Sequence, residues 1–232
     1  MKLKRLSDTE IKQILELMDA VNTGHFVGAS GAHLDTYIDK DAPGSHPIHL
    51  MHLGHELAHR INEVCRLEDN DIVALVGAPM GAISLGAFTA YWLNTLFPRE
   101  DGIVIQSLYA EKTSLTDDKA PFKLRSSYAE KIKEHGVIAI EDILNSGGSA
   151  QKTIDIIEKC GGKAIGVGAL CNRGGVTADK LGVRFVVSLI DLNLQKWDVP
   201  KGEECPLCKR DVLIDTRLGH GQRFLDEQKQ KA

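Results

Sequence analysis

Residues 137–150 read Val-Ile-Ala-Ile-Glu-Asp-Ile-Leu-Asn-Ser-Gly-Gly-Ser-Ala, two adjacent acids and a run of small polar residues set between apolar segments. Four apolar residues, Val137 to Ile140, predict a strand buried on both faces. Ile154, Ile156 and Ile157 predict a helix over 150–160. The order is therefore strand, acid pair, loop, helix. A helix N-terminus offers free N–H groups and a partial positive charge. Gly147 and Gly148 let backbone approach an anion, and Ser146 and Ser149 add hydroxyl donors. Such a loop suits one phosphate. Glu141 and Asp142 just before it can accept hydrogen bonds from a pair of hydroxyls, such as ribose 2′ and 3′. A phosphate with a diol beside it points to a phosphoribosyl group.

A second loop of this kind is Val76-Gly-Ala-Pro-Met-Gly-Ala82, also between a strand and a helix. Gly77 and Gly81 permit close backbone approach there, with Ala78, Pro79 and Met80 between them. Two anion loops at the carboxyl ends of parallel strands fit one ligand lying across both.

The elements that must position these loops follow from periodicity. Ile11, Ile14, Leu15 and Met18 predict a helix over 8–20, with Asp8 as its N-cap. Residues 22–47, rich in Gly, Asp, Pro and His, read as loop and short strand, and 48–67 as a helix. Strands at 72–76, 103–109, 137–140, 164–170 and 184–190 then alternate with helices at 82–96, 150–160 and 177–181. That rhythm predicts an α/β fold, a parallel twisted sheet flanked by helices. Residues 111–121 form a polar loop, and the tail from 195 reads as irregular.

Composition sets the outer limits. The 232 residues are 43% hydrophobic and 26% charged, as in ordinary globular chains. A net charge of −4 implies no general affinity for nucleic acid or membrane. No apolar run is long enough to span a bilayer, and the charged N-terminus lacks a signal core. Five cysteines, an odd number, favour a reducing, cytoplasmic setting over a disulfide framework.

The stretch Ile-Glu-Asp-Ile-Leu-Asn-Ser-Gly-Gly-Ser resembles the phosphoribosyl-diphosphate (PRPP) motif of type I phosphoribosyltransferases, and the resemblance to the orotate branch runs from about residue 24 to 224. It implies one domain, with a core of about 60–192 and a small hood from about 22–47 and 193–232. It implies transfer of the phosphoribosyl group of PRPP to a nitrogenous base, orotate foremost, releasing pyrophosphate. Another base, or a regulator that binds PRPP without turnover, is the alternative. PRPP would be held by Glu141, Asp142, Ile143, Leu144, Asn145, Ser146, Gly147, Gly148 and Ser149. Gly77, Ala78, Pro79, Met80 and Gly81 would take its pyrophosphate with Lys112. Asp142, Glu141 and Lys112 would be catalytic, and Asn145, Arg173, Tyr37 and Lys40 would face the base. Mg²⁺ is the implied cofactor, carried largely by PRPP oxygens and water, and a homodimer the implied assembly. Two departures stand out: the 111–121 loop has only Lys112 and Lys119 as bases, and Asn145 replaces the usual Thr.

Two motifs suggest metals. His55-Glu-Leu-Ala-His59 fits the zinc-protease pattern H-E-x-x-H, but the spacing beyond it supplies no third ligand. Cys205-Pro-Leu-Cys208 offers two of the usual four zinc ligands, and no second cysteine pair has matching spacing. A zinc protease is not expected; whether Cys205 and Cys208, or the histidines from His46 to His59, bind a metal stays open.

Overall fold

Apolar strands set the centre of the structure, a computed structural model describing residues 3–28, 30–39, 42–67, 71–117, 119–192 and 194–231. The elements are α1 (Asp8–Leu17), β1 (Val21–Val27), β2 (His33–Ile38), α2 (Pro47–Val64), β3 (Ile72–Gly77), α3 (Ala82–Leu96), β4 (Gln106–Tyr109), β5 (Glu111–Lys112) and β6 (Phe122–Lys123). They continue with α4 (Ser126–Ile132), β7 (Gly136–Leu144), α5 (Gly148–Lys159), β8 (Lys163–Asn172), α6 (Ala178–Leu181), β9 (Phe185–Asp191), β10 (Lys196–Trp197), α7 (Pro206–Lys209) and α8 (Gly221–Lys231). The chain divides into two units, one of Met1–Ile14 with Pro43–Leu192 and one of Leu15–Ala42 with Asn193–Ala232. No described helix is long and apolar enough to cross a membrane.

The first unit carries a parallel sheet of five strands in the order β4-β3-β7-β8-β9. Every residue of β3, and of β7 from Gly136 to Glu141, is buried, as expected of strands covered on both faces. Helices α2 and α3 pack on each other so closely that a Cβ on Gly54 would lie 2.7 Å from Phe88. On β8, Gly168 leaves room for Ile140, Leu57 and Ile61 to meet over the sheet. Helix α5 covers β7 and β8 with Ile154, Ile156 and Ile157 buried.

Several elements differ from the sequence reading. The strand at 137–140 continues to Leu144, because β8 is long enough to pair Ile143 with Cys171 and Leu144 with Asn172. The acid pair thus sits on strand, and successive residues leave a strand on opposite faces. The strand at 103–109 shortens to Gln106–Tyr109, where β3 supplies partners. The segment read as loop and short strand is a hairpin of β1 and β2, with Val21 opposite Ile38, Val27 opposite His33 and a register shift between Thr23 and Phe26. The tail is not irregular: it adds β10 to β2, then α7 and α8.

The second unit is built on that hairpin. Asp215 N–H donates to the His25 carbonyl at 2.7 Å, and His220 N–H to the Val27 carbonyl at 2.8 Å, so the tail satisfies the outer edge of β1. The pair missing beside Cys205 and Cys208 is also here. His25 on β1 and His33 on β2 bring their ring nitrogens to the two thiols, a grouping that cysteine spacing could not reveal.

The H-E-x-x-H segment is structural. His55 is buried with its ring edge-on to Trp92 at 4.9 Å, and Glu56 is only 1% exposed. Arg5 grips Glu56 with Nη2 at 2.8 Å and Nε at 2.9 Å, and Arg60 reaches it from one turn along α2. Burial alone would raise the Glu56 carboxyl, but the Arg5 fork, the Leu6 N–H and Arg60 outweigh it and hold the group below its ordinary range. A carboxylate committed to two arginines is not available as a general base.

The stabilisation from Glu56 is present above the unfolded carboxyl value of about 4.3 and drains away as the pH falls below it. Arg5→Ala is therefore expected to cost about 1–3 kcal/mol at pH 7, where it weakens the hold on a buried charge. The gap to wild type should narrow as the pH falls below about 4. Urea unfolding at several pH values measures this, and a gap independent of pH would refute it.

Candidate active site

Counted in chain order, the strands of the parallel sheet stand 2-1-3-4-5, so the chain reverses direction between β3 and β7. A crevice opens at the carboxyl ends of the strands at such a reversal. The two loops picked out in the sequence leave from those two strands. Ala78 N–H donates to the Ile140 carbonyl at 2.9 Å, which ties the loop after β3 to the neighbouring strand. Ala110 N–H in turn donates to the Gly77 carbonyl at 2.9 Å, placing the end of β4 alongside.

Asp142 shares the strand face of Ile140 and points at the first loop. A Cβ on Gly81 would lie 2.0 Å from its Oδ2, so only glycine fits beside this carboxylate. Asp142 Oδ1 accepts the Ile143 N–H at 2.7 Å, which fixes the rotamer. Glu141 leaves on the other face, is 5% exposed, and accepts the Asp142 N–H on Oε1 at 3.1 Å. The acid pair is therefore divided, with Asp142 toward the crevice and Glu141 behind it.

The second loop ends on a left-handed residue, Gly147 at φ 81°, the N-cap of α5. A side chain there would be strained and would press on Val176 and Leu181. The turn leaves Asn145, Ser146, Gly148 and Ser149 exposed at the start of a twelve-residue helix. Gln151 N–H bonds back to the Gly147 carbonyl at 2.8 Å, so the N–H groups before it face outward, ready for an anion. Of the first loop, Gly77 and Ala78 are buried, Pro79 and Gly81 partly exposed and Met80 exposed. The Pro79–Met80 peptide is cis.

Arg173 follows β8 and is half-buried next to the second loop. Its N–H and that of Gly174 both donate to the Leu144 carbonyl, at 2.9 and 3.0 Å. Gly174 is so close to Asn145 that a Cβ would fall 1.4 Å from the Asn145 carbonyl oxygen. The structure thus brings Asn145 and Arg173 together by their backbones. Lys112 is exposed on β5, in the hairpin that β5 forms with β6. Tyr37 belongs to the second unit, on β2, with its ring 5.7 Å from that of Phe26. Lys40 lies outside the described residues.

Two bases were missed by bounding the polar loop at 121. Arg125 Nε donates to Glu111 Oε1 at 2.7 Å and its guanidinium stands 5.5 Å from the Tyr109 ring centre. Lys123 Nζ approaches Glu111 at 3.3 Å. Arg125 first, then Lys123, hold the Glu111 carboxyl below its ordinary range. The return strand β6 is only two residues, Phe122–Lys123, too short to leave a periodic signal in the sequence. Among the described residues no acid pairs with Lys112.

The geometry joins two outward-facing backbone loops, one crevice carboxylate and a basic hairpin. That set can hold a substrate with two anionic groups and a hydroxylated centre between them.

The chain is similar to known proteins in sequence and in fold. Residues 45–203 fit the family described as phosphoribosyl transferase domain. The orotate phosphoribosyltransferase of Thermotoga maritima is 31% identical over 211 residues, covering 91% of this chain and 98% of the relative. That of Caldanaerobacter subterraneus is 30% identical over 205 residues, covering 88% and 94%. Among solved structures, orotate phosphoribosyltransferase from Aeropyrum pernix superposes with a TM-score of 0.57 at 22% identity, over 78% of this chain and 93% of that one. Leishmania donovani UMP synthase gives 0.56 at 16% identity, over 97% of this chain and 42% of that one. These two structural matches speak to the fold.

If the α5 loop is an anion site, Gly174→Ala should disturb it through Asn145. Affinity for inorganic phosphate, read by calorimetry, is expected to fall about ten-fold or more, since small displacements of a binding loop are costly. Gly44→Ala, at an exposed position with no positive φ and nothing within 4 Å of the new Cβ, should leave the affinity within about two-fold. Equal effects would mean that the loop does not bind phosphate.

Proposed function

The chain belongs to the phosphoribosyltransferase family, and on that premise we propose that it transfers the phosphoribosyl group of PRPP to orotate, giving the nucleotide and pyrophosphate. The observation that carries the reading is the seat of Asp142 against Gly81, which sets a carboxylate of β7 against the loop after β3.

In this reading Ser146, Gly147, Gly148 and Ser149 hold the 5′-phosphate, with Ile143, Leu144 and Asn145 completing the loop. The backbone of Gly77, Ala78, Pro79, Met80 and Gly81 holds the pyrophosphate. Asp142 takes ribose hydroxyls from the crevice side, supported by Glu141 behind it. Arg173 and Asn145 face the base, where a planar guanidinium can pair with a carboxylate such as that of orotate.

The bond from ribose C1 to the pyrophosphate oxygen breaks as the bond from C1 to the base nitrogen forms. Positive charge grows on the ribose ring and negative charge on pyrophosphate. The protein has little covalent work; it orients the partners and places charge where charge develops. Asp142 stands near the ring cation. Lys112, paired with no acid among the described residues, meets the leaving pyrophosphate when the β5–β6 hairpin lies over it, and Lys123 and Arg125 add positive charge tempered by Glu111.

The donors at the crevice are carboxylate oxygens, the hard set that Mg²⁺ prefers. PRPP oxygens and water would carry it largely, with Asp142 the one crevice carboxylate beside it, and when bound it would supply neutralising charge to the diphosphate. The proposal extends to a homodimer in the cytoplasm acting on two small molecules, a setting in keeping with five free cysteines.

Absorbance-monitored turnover of orotate with PRPP and Mg²⁺ tests the reading. Asp142→Asn should lower the rate by about 10²-fold or more. Lys112→Ala is expected to lower kcat by about 10–10³-fold with a small change in the KM for orotate. PRPP binding without consumption of orotate would instead support another base or a regulatory role. Absence of PRPP binding would refute the site itself.

A further inference from the structure

Outside this crevice, one cluster of chemically capable side chains has no role in phosphoribosyl transfer. His25, His33, Cys205 and Cys208 each offer one ligand atom, and all four atoms lie within 4.8 Å of one another. All belong to the second unit. We propose that they form a structural zinc site, with Nε2 of His25, Nδ1 of His33 and both cysteine Sγ atoms as ligands.

Three of the six ligand–ligand distances fit a tetrahedron. Sγ of Cys205 and Sγ of Cys208 lie 3.7 and 3.8 Å from His25 Nε2, and Sγ of Cys208 lies 3.3 Å from His33 Nδ1. With zinc–sulfur bonds of about 2.3 Å and zinc–nitrogen bonds of about 2.0–2.1 Å, tetrahedral edges run about 3.3–3.8 Å. The two ring nitrogens stand at 2.8 Å, so they need to part by roughly half an ångström to reach the shortest of those edges.

The surroundings orient the ligands. His25 Nδ1 lies 2.7 Å from the Val212 carbonyl, so its proton is donated there and the Nε2 lone pair faces the cluster. A backbone acceptor on the far nitrogen is the usual support of a zinc-bound histidine. The His33 ring packs edge-on against Phe224 at 5.0 Å. Cys205 is the N-cap of α7 and Cys208 lies within its single turn, so a one-turn helix presents both sulfurs together. His25, His33 and Cys205 are buried while Cys208 is exposed, which gives a closed site with an entry path.

The donor set decides the metal and its task. Two thiolates and two imidazoles in a tetrahedral array select zinc among common divalent ions. Four protein ligands leave no open position, so the role is structural. Zinc would fasten the 193–232 segment to the β1–β2 hairpin. Closing so long a loop restricts the unfolded chain strongly. The inference does not depend on the reaction proposed above, and its test does not read activity.

The purified protein, loaded with zinc and dialysed, should retain about one zinc per chain by elemental analysis. Cobalt in its place should give the intense visible bands of a tetrahedral site and a thiolate-to-cobalt band. Chelation should lower the thermal midpoint by about 5 °C or more. Cys208→Ser should lose the metal. Cys208→His, which keeps a fourth ligand at an exposed position, should retain it with a weaker thiolate band, and so reads ligation even if the serine variant fails to fold. Wild-type protein that binds no zinc, or whose mass shows an internal Cys205–Cys208 disulfide, would overturn the proposal. So would metal that survives Cys208→Ser yet disappears when His46, His49 and His52 are replaced.

Discussion

The parallel pairing of β3 with β7 is the constraint on which the candidate site rests. The Ala78 N–H bond to Ile140 fixes the register there, and the register decides that Gly81 meets Asp142. Shift β7 by one residue and Glu141 would replace Asp142 on the crevice face, since side chains alternate along a strand. Val137 to Ile140 are buried, as expected of a strand covered on both faces, so it is the backbone bonds to β3 and β8 that hold the register.

Around this pairing the rest of the first unit acts as support. Helices α3 and α5 both begin at the carboxyl ends of strands, so both point their positive ends into the crevice. The glycines are used where close approach is demanded, at Gly81 beside a carboxylate, at Gly174 beside a carbonyl and at Gly147 in a left-handed turn. The two arginines on Glu56 serve a separate end, anchoring α2 where a zinc-protease pattern would have required a free base.

Much of this architecture was legible in the amino-acid order. The apolar runs at 72–76 and 137–140 and the periodic isoleucines of α5 mark buried strands and a helix, and the small residues between them mark the anion loops. What stayed hidden depended on contacts distant in sequence. Strand β7 is lengthened by its partner β8, not by its own composition. The division of Glu141 from Asp142 follows from that length. Arg125 was passed over because the polar loop has no local signal for where its return strand ends. His25 and His33 are separated from Cys205 by some 170 residues, and only the hairpin and the tail folding together make them neighbours. Single-sequence periodicity sees none of these.

The fusion of Asn145 with Gly174 has a consequence for how such a protein could diversify. Both segments are locked main chain against main chain, with the Leu144 carbonyl receiving two donors from the other side. Insertions or deletions there would dismantle the loop proposed to hold phosphate along with whatever lies beside it. With Asn145 and Arg173 facing the base as proposed, a lineage seeking a new ring to modify is confined to exchanging the heads of residues 145 and 173, atom for atom, on a frame it is not free to redraw.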